Sequence, residues 1–216
     1  MLSRTRRGDL IGKGQGEFVT MLAQGIKIAE REHVLAREAY DAMRLAPDFA
    51  TASRHWGEFL YRWNRVFNKL KRGAVGPAKA WYKTREDEMR ADPLLSYLHE
   101  ARNADEHGIE DITEEQFSAY LVPPENSSAR IASIAVMADG SLHVDAIDHE
   151  GRPLQPSDVI ALNRFRLVPV SKGRGQTWAV PTKHLGMDID PVNVAILCRY
   201  ALSYAAQTIG AGRGFL

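Results

Sequence analysis

The chain has 216 residues, of which 44% are hydrophobic and 25% charged, with a formal net charge of +1. That size and composition allow one large domain or two small ones with a real core, and the near-neutral balance excludes a partner chosen by overall charge alone. The one cysteine, Cys198, excludes an intrachain disulfide, fits a reducing compartment, and lies in an apolar run that marks it as core.

No uncharged apolar segment approaches the length of a membrane span, and no apolar stretch follows the arginines of Met1–Gly16. Neither membrane insertion nor secretion is expected, and the location is expected to be cytoplasmic. Residues 1–16, rich in Arg and Gly, read as a flexible leader. Gly12-Lys13-Gly14-Gln15-Gly16 lacks both the Gly-Lys-Ser/Thr ending and the preceding strand of a phosphate loop.

From Glu17 to about Leu45, Phe18, Leu22, Ile26, Ala29, His33, Ala36, Tyr40 and Met43 recur at helical spacing. His33 falls on the apolar face and reads as a core histidine bonded to a neighbour. After Pro47 a second helix, about Asp48–Arg72, carries a wide stripe from Phe49 through Trp56, Phe59, Trp63 and Phe67 to Leu70. Another face carries Arg62, Arg65, Lys69 and Arg72, which is either a solvated surface or a ridge for phosphates. Gly73–Pro77 is a turn, and a third helix covers about Pro77–Arg90.

The fourth helix, Asp92–His107, is opened by Asp92-Pro93 and closed by Gly108. Leu94, Tyr97, Leu98, Ala101 and Ala104 share one face, while His99, Asn103 and His107 form a polar row opposite. Helix stability needs no such row.

Composition changes at Val122-Pro123-Pro124. Ile131–Met137 and Leu142–Ile147 flank an Asp-Gly turn and predict a hairpin. Phe165–Val170 and Thr177–Val180 predict further strands, Ser157–Leu162 is ambiguous between helix and strand, and a last helix covers about Pro191–Ile209. The expected fold is α+β: a flexible leader (1–16), an antiparallel helical bundle (17–121), and a small antiparallel β unit with a final helix (128–210).

Arg102-Asn103-Ala104-Asp105-Glu106-His107 reads Arg-Asn-x-x-x-His. In a helical bundle, towards the end of a late helix, it resembles the Arg-polar-x(3–5)-His signature of the HEPN superfamily. The resemblance covers roughly residues 17–120. It implies a metal-independent endoribonuclease without a cofactor, working as a homodimer, often as a toxin or defence effector with an antitoxin as protein partner. Other members of that superfamily are inactive. Arg102, Asn103 and His107 are the matching catalytic candidates, and His99 and Glu106 stand beside them on the helix.

The residue types suit the chemistry on their own terms. Metal-free RNA cleavage needs a base for the 2′-hydroxyl, an acid for the leaving oxygen and positive charge for the phosphorane. Histidine titrates near neutral pH, and the arginine fork matches phosphate oxygens. One histidine serves poorly as both acid and base, so a second copy across a two-fold axis would complete the site. The same residues also fit a plain role, with Glu106 pairing Arg102 at i+4 and His107 capping the helix end. No His-Glu-x-x-His or paired Cys-x-x-Cys suggests a metal.

Glu86–Glu115 carries eleven acidic residues against Arg90 and Arg102, so RNA must be held from elsewhere. The candidates are Arg62, Arg65, Lys69 and Arg72, together with Arg164, Arg166, Lys172 and Arg174 in an acid-free segment. Two other functions stay open: a non-catalytic protein-interaction module, and a nucleotide binder in the bundle groove.

Overall fold

The short connection 45–48 turns the chain back, so that α1 (Asp9–Arg44) and α2 (Phe49–Gly73) run antiparallel in the computed structural model. The structure describes residues 9–107, 111–121, 130–136, 142–154, 160–172 and 175–216. Asp48 caps α2 by accepting the Thr51 N–H at 2.7 Å. The two helices approach closely where Gly25 faces Gly73. A Cβ on Gly25 would stand 2.9 Å from the Lys69 carbonyl oxygen and 3.0 Å from the Gly73 Cα.

Helix α1 starts at Asp9, so residues 9–16 are helical rather than part of a loose leader. Extending an existing helix costs far less than nucleating one, and the buried face from Leu22 onward supplies the nucleus.

Helices α3 (Ala78–Ala91) and α4 (Pro93–His107) follow. The aromatic stripe of α2 is the centre of the core: Trp56, Phe59, Leu60, Trp63 and Val66 are all fully buried. Leu94, Tyr97, Leu98 and Ala101 of α4 are fully buried as well, with Ala104 packed beside them. Leu95 joins them, so the buried arc of α4 is wider than the expected stripe.

The strands are small antiparallel sets. β1 (Thr113–Leu121) pairs with β5 (Ile160–Leu167), with a register shift between Glu115 and Ser118. β2 (Arg130–Val136), β3 (Leu142–Ile147) and β4 (Pro153–Leu154) form a meander. β6 (Val170–Lys172) pairs with β7 (Gln176–Trp178), and β8 (Lys183–His184) with β9 (Met187–Asp188). The expected hairpin strands are present at 130–136 and 142–147, while Met137 and the Asp-Gly turn lie outside the described residues. β1 fell inside the segment expected to be helical bundle. Its Thr-Glu-Glu-Gln start continues the acidic run, and its partner strand is some forty residues away in sequence.

The last helix, α5 (Val194–Arg213), was expected to belong with the strands, but its apolar face enters the helical core. The Trp63 indole N–H donates to the Ala201 carbonyl at 2.9 Å, and His33 Nε2 donates to the Leu202 carbonyl at 3.1 Å. Cys198 is free and fully buried on this face. Phe165 of β5 packs on Trp56, with ring centroids 6.0 Å apart, and the Tyr97 hydroxyl donates to the Val168 carbonyl at 2.7 Å. Phe165 and Leu167 of β5 and Val170 of β6 therefore share one core with the helices. No helix among the described residues is long and apolar enough to cross a membrane.

Candidate functional site

The geometry of α4 follows from Asp92. Its carboxylate accepts the Leu95 N–H at 2.8 Å, which caps the helix and sets its rotation. With Leu94, Tyr97 and Leu98 turned into the core, Arg102 and Asn103 are left only partly buried, and His99 and Glu106 are exposed.

The structure brings Arg102, Asn103 and Glu106 together. Arg102 Nη2 donates to Glu106 Oε1 at 2.8 Å, Nη1 contacts the other Glu106 oxygen, and Nη1 also reaches Asn103 Oδ1 at 3.4 Å. Asn103 Nδ2 donates to Glu100 Oε2 at 3.2 Å. His99 Nδ1 accepts from the Asn64 amide of α2 at 3.2 Å, which leaves the neutral ring with its proton on Nε2. Asn64 is buried in the α2 stripe, and only its polar type among aromatic neighbours signalled a role. His107 is the last residue of α4; its side chain lies outside the described residues.

Two of the four candidate phosphate ligands on α2, Arg62 and Arg65, are engaged with carboxylates. Arg62 donates to Glu58 at 2.6 Å and to Glu32 at 3.2 Å, and Arg65 donates to Glu32 at 2.9 Å and to the Tyr61 hydroxyl at 2.7 Å. Glu32 is buried at 4% exposure, so half of this ridge is a seam between α1 and α2. Lys69 is partly buried and Arg72 exposed towards the end of α2. On β5, Arg166 pairs with Glu114 at 2.8 Å, while Arg164 donates to the Ala46 carbonyl at 3.2 Å and lies over the Phe117 ring. The side chain of Lys172, and Arg174 altogether, fall outside the described residues.

Beside the Arg102–His107 turn, a cleft of about 770 Å³ opens between α2, the end of α4 and β1. Its walls include Glu58, Asp105, Glu114 and Glu115 against Arg54, with Tyr61 at one side. Asp105 sits close to Gly57, where a Cβ would stand 2.9 Å from its Oδ2. Desolvation pushes the Asp105 carboxyl up, partly opposed by Arg102. The acidic run was visible in sequence; its assembly into a cleft needed α2 and β1 to meet. Among the described residues, no group of three or more His, Cys, Asp or Glu is placed to hold a metal ion.

Comparison of the chain with protein-family models, with curated proteins and with solved structures returns no match.

Proposed function

We propose that this chain is a metal-independent endoribonuclease of HEPN type, acting in the cytoplasm as a homodimer, with Arg102, Asn103 and His107 as its catalytic residues. The observation that carries this is the placement of the motif. The Arg102-Asn103 pair lies outside the buried arc of a well-capped helix that ends at His107, in a bundle whose core does not use it. Residues needed only for packing would have been buried.

In the mechanism, a histidine takes the proton of an RNA 2′-hydroxyl, and the oxygen attacks the adjacent phosphorus. The bond to the 5′-oxygen breaks, a protonated histidine supplies that oxygen's proton, and a 2′,3′-cyclic phosphate remains. Arg102 neutralises the charge gathered on the phosphorane. His107 of each subunit supplies one of the two proton-transfer roles. Glu106 restrains the Arg102 fork before substrate binds, and Asn103, tied to Glu100, orients groups at the same turn.

A second reading, a non-catalytic module that binds a basic protein such as an antitoxin, draws on the acidic cleft and on the ion pairs that already occupy Arg62, Arg65, Arg102 and Arg166. RNA cleavage in EDTA separates the two. Wild type is expected to leave 2′,3′-cyclic phosphate or 3′-phosphate ends, and His107→Ala and Arg102→Ala are expected to be folded and inert. Cleavage that survives both substitutions, or no turnover of several structured and unstructured RNAs, removes the nuclease.

A further inference from the structure

A second cavity, of about 500 Å³, lies between α2, α3, α4 and β7, with His99 of the α4 polar row in its wall. Its volume is in the range of small-ligand sites. Phe67, Tyr82 and Met89 give it an apolar wall, and Trp178 of β7 adds a large flat ring. The Tyr82 hydroxyl is turned away into a bond to the Phe67 carbonyl at 2.9 Å, so it contributes ring rather than charge.

Three residues with primary amides, Asn64, Asn68 and Gln176, also line the cavity. An amide presents a donor and an acceptor side by side, the pattern that pairs with the edge of a nucleobase. The charged residues at the cavity are Lys71 and Arg90 against Glu86 and Glu100, with no net charge between them. Lys71 and Arg90 both reach Glu86, at 2.6 and 3.4 Å. A phosphate finds no surplus of positive charge here, whereas a neutral planar heterocycle finds a stacking face and hydrogen-bonding edges.

The motif helix itself lines this cavity through Ser96, His99 and Glu100, and two contacts extend from that wall. Asn64 donates to His99 at 3.2 Å, and Glu100, which lines the cavity, accepts from Asn103 at 3.2 Å. From His99 to His107 is two helical turns, about 12 Å along the axis. A base seated in the cavity therefore leaves its own strand within reach of the Arg102–His107 turn.

We infer that this cavity is a nucleobase-binding subsite, taking one unstacked base of a single-stranded RNA against Trp178, with the Asn64, Asn68 and Gln176 amides reading its edge. It rests on the ribonuclease reading for its purpose, but not for its detection. Base specificity in this protein is then set on α2 and β7, away from the residues that cleave.

The test is calorimetric titration of the full chain with each of the four ribonucleoside 5′-monophosphates in EDTA. Saturable binding is expected, with a preference among the four bases. Trp178→Ala is expected to weaken it at least about fivefold, as loss of base stacking does. Asn68→Ala, at an exposed position, is expected to change the preference among bases and decides the matter if Trp178→Ala does not fold. Absence of saturable binding, or binding untouched by the folded variants, overturns the subsite. Binding without any RNA turnover overturns the nuclease and leaves the subsite standing. Turnover whose base preference is unchanged in Asn68→Ala overturns the subsite and leaves the nuclease.

Discussion

Asp92 and His184 form a buried pair, with His184 Nδ1 at 3.1 Å from Asp92 Oδ1, joining the start of α4 to the β8–β9 hairpin. The same carboxylate accepts the Leu95 N–H at 2.8 Å and the Leu185 N–H at 2.6 Å. Leu185 adopts a positive φ of 48°, a strained choice for a leucine, held in place by that bond. The helix that carries the motif and the hairpin beneath it are therefore fixed by one side chain.

Asp92→Ala is expected to cost about 2–4 kcal/mol, from the lost cap and the donors left buried without a partner. Asp92→Asn should cost less. Burial alone pushes this carboxyl up, but the bonds from His184, Leu185 and Leu95 outweigh it and hold it below the ordinary aspartate value. Its folded pKa thus lies below its unfolded one. The stability it contributes is complete above about pH 4 and is lost as pH falls through the folded value. Urea denaturation should show wild type losing more stability than Asp92→Asn below about pH 4; equal losses would exclude this role.

The buried Glu32 holds Arg62 and Arg65 across the α1–α2 seam. Glu32→Ala is expected to destabilise by about 1–3 kcal/mol, since it empties a buried acceptor site between two cations. Arg65→Ala should lower the melting temperature and leave the salt dependence of RNA binding unchanged. A slope reduced by about one unit would assign Arg65 to phosphate instead.

Glu106 competes with any phosphate for Arg102. In a His107→Ala background, expected to bind RNA without cleaving it, Glu106→Gln should tighten RNA binding by up to about fivefold, the scale of a surface ion pair. Filter binding at fixed salt reads this directly, and weaker binding would mean that Glu106 serves mainly to aim the guanidinium.

Two of the glycines that face other elements, Gly25 and Gly57, should respond differently. A Cβ at Gly25 would meet backbone, 2.9 Å from the Lys69 carbonyl oxygen, and Gly25→Ala is expected to cost about 1–3 kcal/mol. At Gly57 the obstacle is the Asp105 carboxylate, which can turn aside, so the gain in helix propensity should leave Gly57→Ala within about 1 kcal/mol of wild type. Thermal melts of both variants check the contrast.

Helix positions in this chain are written in local terms. The period of Trp56, Phe59, Trp63 and Phe67, and the cap at Asp92, act within a turn or two and could be read directly. The strand at 113–121 could not, because its edge residues pair with a segment far along the chain and its bulge breaks the alternation. The motif Arg102-Asn103-x-x-x-His107 was visible as spacing on one helix. Its neighbours Asn64, Gln176 and Trp178 come from α2 and β7, and no local pattern links them to it.

The helices, most of their buried faces and the polar row of α4 are legible in the residues alone, because hydrophobic period and capping are properties of neighbouring residues. Folding was needed to show that α5 completes the bundle core, that Glu32 bridges Arg62 and Arg65, and that α4 lines both cavities. Those outcomes depend on which surfaces meet once the apolar faces are buried, and each pairing joins residues separated by long stretches of chain.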